Sequence, residues 1–108
     1  MIHTSYYAKY RGMDGVSIAR YSPKWFKGGR DIELAPSAQL LLDYKHGHIN
    51  DAIYSTYYRT QLDKLDPAKV YERLDGKVLL CYEKSTSFCH RHLVATWLRE
   101  NGYEVQEL

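Results

Sequence analysis

A small α/β domain with a mostly parallel sheet is the fold this sequence predicts, and three observations carry the prediction. The run Lys77–Tyr82, KVLLCY, is continuously apolar after its lysine, the pattern of a strand buried on both faces. A polar loop, a helix of about three turns and the alternating segment Tyr103–Glu107 follow it, which makes a C-terminal β-α-β unit. The chain has 108 residues, 44% of them hydrophobic, with no repeat and no Pro/Gly/Ser-rich linker, so residues 1–108 are expected to share one core.

The elements read in order. Ile2–Ala8 is short and rich in β-branched and aromatic residues, as a strand requires. Gly15–Tyr21 is a second strand, with Val16 and Ile18 on one face and Ser17 and Ala19 on the other. Tyr21–Glu33 is a loop, broken by Pro23 and Gly28-Gly29. Pro36 suits the first turn of a helix in which Leu40, Leu41 and Tyr44 recur at helical spacing until Gly47. Asn50 caps a second helix with a broad stripe of Ile53, Tyr54, Tyr57, Tyr58, Leu62 and Leu65. Asp66-Pro67 opens a third, short helix with Val70 and Leu74 inward, closed by Asp75-Gly76. The last helix spans about Phe88 to Asn101, with Leu93, Val94, Trp97 and Leu98 facing the sheet. Strand order is not legible; helices on one or both faces of the sheet fit the pattern.

Composition excludes several classes. The longest apolar runs, Leu40–Leu42 and Val78–Cys81, are far too short to span a bilayer, so no membrane partner is expected. MIHTSYYAKYRG lacks the apolar run of a signal peptide, and two cysteines make no disulfide framework. A cytoplasmic protein with reduced thiols is the expectation. Net charge is only +2, but residues 1–30 carry a local charge of +5 against −3 for the rest. That basic third can face phosphates, or it is simply a solvated surface. The 11 tyrosines suit a core edge better than base stacking in so small a domain.

Ligands in open α/β sheets sit beyond the carboxyl ends of the strands. Two such ends concentrate reactive side chains: Arg20 to Trp25 after the second strand, and Cys81, Glu83 and Lys84 leading into Cys89, His90, Arg91 and His92. The second loop enters a helix at its N-terminus, where unpaired N–H groups and the dipole attract an anion. Arg20, Lys84 and Arg91 are the candidate anion holders, favouring phosphate or carboxylate. An ion pair between Arg91 and Glu83 would explain the same pattern without a ligand. Glu83 is the candidate general acid or base. Cys89 sits where a thiolate is favoured, with His90 beside it as base or auxiliary group, although most free cysteines are small buried hydrophobes. Cys81 ends the apolar run and reads as core. The spacing C-x7-C-H-x-H matches no common zinc pattern, so no metal and no cofactor are expected. No phosphatase loop, Walker loop or G-x-G-x-x-G is present. Pro23, Lys24 and Trp25, in PKWFKGGR, are a candidate lid over the cleft; the alternative is that this loop folds its aromatic pair onto the core.

LLCYEK-STSFCHRHLVATWLRENG resembles the closing signature of the bacterial, archaeal and phage family called domain of unknown function 488: an apolar strand, a C-x-E-K turn and C-H-R opening a helix. SIARYSPKWFKG and LAPSAQLLLDYKHG are similar to the family's short variant, so the resemblance covers nearly the whole chain. It implies a compact α/β fold and signature positions at Arg20, Pro23, Cys81, Glu83, Lys84, Cys89, His90 and Arg91. Longer members carry Asp-Val-Arg where this chain has Ile18-Ala19-Arg20, so an acid at that strand end is absent here. The resemblance supplies no substrate. Three readings stay open: an enzyme or binding domain for a phosphate-bearing small molecule such as a nucleotide or nucleic-acid component, a nucleic-acid-binding accessory module, and a non-catalytic interaction domain. Oligomeric state is not legible.

Overall fold

The computed structural model describes residues 1–108. Five strands form one all-parallel sheet: β1 (Ile2–Tyr6), β2 (Gly15–Ser17), β3 (Gly29–Arg30), β4 (Val78–Cys81) and β5 (Val105–Glu107). Their order is β3-β2-β4-β1-β5, with β4 flanked by β1 and β2. The helices are α1 (Ala38–Lys45), α2 (Asp51–Leu62), α3 (Pro67–Leu74) and α4 (His90–Glu100), with a 3-10 turn at Ile32–Leu34. No helix is long and apolar enough to cross a membrane.

The buried strand run behaves as its composition requires. Val78, Leu79, Leu80 and Cys81 are all buried, and alternate residues enter different cores. Leu79 joins Ile2, Val16, Ile18 and Val105 beneath the helices, and all four helices contribute to that single core: Leu40, Tyr54–Tyr58–Leu62, Val70–Leu74 and Val94–Trp97–Leu98. Val78 and Leu80 face the other way, with Tyr7 and Ala19, and there loops rather than helices supply the cover through Tyr10 and Phe26. The domain is therefore two-layered, its second sheet face closed by loops.

Local chemistry sets the element ends. Ser37, Asn50 and Asp66 each accept a backbone N–H at a helix start. Gly47 and Gly76 adopt positive φ just beyond α1 and α3. Several boundaries differ from the sequence reading. β1 stops at Tyr6 because the amides of Lys9 and Tyr10 turn back to the Tyr6 carbonyl. α1 starts after Ser37, so Pro36 precedes the cap instead of occupying the first turn. Only Tyr54, Tyr58 and Leu62 of the expected α2 stripe are buried, while Ile53 and Tyr57 are exposed. The expected loop Tyr21–Glu33 contains β3, whose two residues are too few to show any periodicity. Gly28 enables that strand, because a Cβ there would meet the Gly15 carbonyl at 2.7 Å.

Candidate functional site

After β2 the chain moves outward to β3 at one edge of the sheet; after β4 it passes through α4 to β5 at the other. The adjacent carboxyl ends of β2 and β4 thus feed connections running in opposite directions, the geometry that opens a crevice in a parallel sheet. A cavity of about 200 Å³ lies there. Ala19, Arg20 and Tyr21 wall it from β2, and Cys81, Tyr82 and Glu83 from β4. Phe88, Cys89 and His90 come from the start of α4, while Tyr44, Lys45 and Tyr54 come from the α1–α2 pair. Arg20, Glu83, Cys89 and His90, singled out from sequence as members of two separate loops, share this cavity.

Glu83 is the cavity's only carboxylate. Its charge acts on two phenols across the space. Burial, and then the Glu83 charge, raise Tyr54 well above the ordinary tyrosine range. Tyr44 is pushed up to about 12, first by its hydrogen bond to Asp51 and then by burial, with Asp51 and Glu83 adding to it. Arg20 donates from Nε to the Pro36 carbonyl at 2.8 Å, which ties the β2 end to the segment before α1. The rings of Tyr44, Tyr54 and Phe88 pack edge-on and tilted at 5.1 to 5.7 Å between centroids, a rigid aromatic wall.

His90 is buried, and burial pulls its imidazole down to about 4, with the Arg91 charge acting in the same direction, so the ring is neutral at pH 7. Its Nε2 lies 2.7 Å from the Ile18 carbonyl. A carbonyl only accepts, so Nε2 carries the proton and Nδ1 keeps its lone pair. That Nδ1 is 3.9 Å from Cys89 Sγ. The Sγ atoms of Cys81 and Cys89 are bonded to each other, so two cysteines that the sequence reading kept apart, one in the core and one at the helix start, meet. A strand end and a helix start eight residues apart in sequence converge because β4 runs directly beneath the start of α4. In the bonded state Cys89 is no free nucleophile.

Arg91 has a different place from the one expected. It is completely buried and does not line the cavity. Nε and Nη2 grip the Glu107 carboxylate at 3.1 and 2.8 Å, and Nη1 donates to the Glu83 carbonyl at 2.7 Å and to Cys81 Sγ at 3.0 Å. Its partner carboxylate comes from β5 rather than from Glu83. Ser85 and Thr4 also donate to Glu107. Burial alone would raise this carboxyl, but the hydrogen bonds from Arg91, Ser85 and Thr4 outweigh it and hold it at about 2. Arg91 therefore shapes the Glu83–Ser87 loop from beneath. The guanidinium is turned into the fold, toward Glu107, Cys81 and the Glu83 carbonyl, rather than toward the cavity where an anion was expected.

Lys84 is exposed on the same loop and is not part of the cavity wall. The proposed lid also lies elsewhere: Pro23, Lys24 and Trp25 do not line the cavity. Trp25 meets Tyr7 edge-on at 6.1 Å on the loop-covered face, and the Arg11 guanidinium sits over its ring at 4.2 Å. The aromatic pair folds back because Tyr7, Val78 and Leu80 need cover that no helix supplies. Lys45, Tyr44, Tyr54 and Phe88 were missed as site residues. Their spacing marked helix faces, and only the docking of α1 and α2 across the strand ends turns them toward the cavity.

A family model described as the active DUF488-N3 subclade matches residues 5–102. The chain belongs to the DUF488-N3a family. The match runs from β1 to just beyond α4 and so spans the whole cavity. No curated protein and no solved structure gives a significant match.

Proposed function

We propose that the domain binds, and acts by proton transfer on, a small molecule with one planar ring and an anionic group, of the class of a nucleoside monophosphate or another phosphate-bearing nucleic-acid component. The observation that carries this reading is the single crevice between β2 and β4, where an aromatic wall, two cations and one carboxylate converge. A volume of about 200 Å³ exceeds the roughly 150 Å³ that holds a benzene-sized ring, so one ring fits and the remainder must project toward the rim. Tyr44, Tyr54 and Phe88 would stack on or edge the ring. Arg20 and Lys45 would hold the anion, aided by the first N–H groups of α4, whose cap residue Cys89 makes no side-chain cap bond. Glu83 would be the general acid or base, with His90 fixing the neighbouring wall. The matched family description, which calls the subclade active, favours a working site over a relic. A cytoplasmic setting belongs to the same reading, since such ligands abound there and the cysteines would be held as thiols.

The test is a titration with AMP, CMP, ribose 5-phosphate, adenosine and inorganic phosphate, followed through amide shifts of residues 19–21, 44–45 and 81–90. Nucleoside monophosphates should bind about tenfold more tightly than the unphosphorylated nucleoside, and Arg20→Ala should remove that difference. Any chemical turnover of the bound nucleotide, read by chromatography, should vanish in Glu83→Gln while binding persists. Shifts that stay flat at millimolar ligand, or Arg20→Ala binding AMP as tightly as the parent, would remove the reading.

A further inference from the structure

Cys81, Cys89 and His90 present three ligand atoms within 4.8 Å of one another, all on buried residues. We propose that, with the cysteines reduced, these three residues form a mononuclear zinc site of the two-thiolate, one-imidazole kind, with its fourth position open to the cavity. The proposal goes beyond the nucleotide reading and does not depend on it.

The geometry and the charges support it in five ways. Zinc bonds of about 2.0–2.3 Å at tetrahedral angles place ligand atoms roughly 3.5–4 Å apart. Cys89 Sγ and His90 Nδ1 already stand at 3.9 Å. The Cα atoms of the two cysteines are 7.4 Å apart, beyond the roughly 4.4–6.8 Å usual for a disulfide, so the sulfurs can separate to ligand spacing with little backbone movement. The Nε2–H of His90 is bound to the Ile18 carbonyl, the arrangement that orients a metal-binding imidazole and aims Nδ1 at the site. Arg91 donates to Cys81 Sγ, which favours the thiolate form that a metal requires. Finally, the charges close: a divalent ion balances two thiolates, and Arg91 balances Glu107. Soft sulfur with one imidazole selects zinc over magnesium or calcium. Three protein ligands with the fourth position facing a cavity is the arrangement of a reactive rather than a purely structural zinc.

Reaching the site from the bonded pair takes a two-electron reductant. A phosphine serves: the S–S bond breaks, the phosphine is oxidised to its oxide with oxygen from one water, and two thiols form. Metal binding then releases both thiol protons as the two metal–sulfur bonds form.

The experiment treats the full chain with a water-soluble phosphine under anaerobic conditions and titrates Co²⁺, then Zn²⁺ in competition. The expected result is one metal per chain, with sulfur-to-cobalt charge-transfer absorption that Zn²⁺ abolishes. Cys89→Ser should bind on the order of 100-fold more weakly, and the unreduced protein should show no such absorption. His90→Gln, whose amide can still donate to the Ile18 carbonyl, should weaken binding and alter the cobalt ligand-field bands. Because the variants can lose stability, a second readout uses the parent protein alone: Zn²⁺ should shield both thiols from iodoacetamide. Reduced parent protein that shows no charge-transfer absorption, or thiols alkylated equally fast with and without Zn²⁺, would overturn the proposal. No nucleotide is added at any stage, so failure here leaves the ligand titration unaffected, and the reverse holds.

Discussion

Removing the Arg91 side chain would strand the Glu107 carboxylate in a partly buried place and free the Glu83 carbonyl and the loop above it. Arg91→Ala should therefore cost about 3 kcal/mol in urea denaturation. Arg91→Lys should recover little of this, because an ammonium cannot make the forked contact to both carboxylate oxygens. The same pair predicts a pH dependence. Glu107 is held at about 2 in the fold, below its ordinary 4.5, so the folded state binds its proton less readily than the unfolded chain does. Its contribution is complete above about pH 4.5 and is lost as the pH falls toward 2. The urea midpoint should decline across that window, and Glu107→Gln should flatten the decline while lowering stability at pH 7. At this scale the sequence was partly legible. Glu83, Arg20, Cys89 and His90 could be picked out because unusual side chains cluster at strand ends. The role of Arg91 could not, because a charged residue in a helix's first turn looks the same whether its partner is a ligand or a distant carboxylate.

Elements were most legible where burial imposes a period. The continuous run of β4, the Tyr54–Tyr58–Leu62 stripe of α2 and the capped start of α3 each combine a packing signal with a local hydrogen-bonding one. β3 and the end of β1 were not legible, because a two-residue strand has no period and a strand's last residue depends on what its neighbour offers. One contact joins elements that no local pattern relates: the buried Tyr58 hydroxyl donates to the Leu34 carbonyl, fastening α2 to the 3-10 turn. Tyr58→Phe keeps the ring but leaves that carbonyl unpaired in the core. It should cost about 1–3 kcal/mol by chemical denaturation with little change in helix content by circular dichroism. An unchanged midpoint would mean that another donor or water takes over.

The whole molecule depends on chain segments far apart in sequence. β1 lies between β4 and β5, and Glu107 reaches Arg91, Thr4 and Ser85 at once. Deleting residues 103–108 would remove an edge strand and the only carboxylate paired with a fully buried guanidinium. The shortened chain should fail to fold cooperatively, read as loss of a sigmoidal urea transition, although every residue of the cavity wall remains. A version that still unfolds in one sharp step would show that the β2–β4–β1 centre stands alone.

By itself the sequence determined the α/β class and the parallel character of the sheet, and it brought the ends of β2 and β4 forward as the candidate site. These follow from burial pattern, helix caps and the types of residue placed after apolar runs, all of which act over a few neighbouring positions. Tertiary structure alone decided which carboxylate meets Arg91, that Trp25 covers the second sheet face instead of the cavity, and that Cys81, Cys89 and His90 stand together. Those outcomes depend on strand order, and strand order is settled by how whole surfaces pack, not by any spacing along the chain.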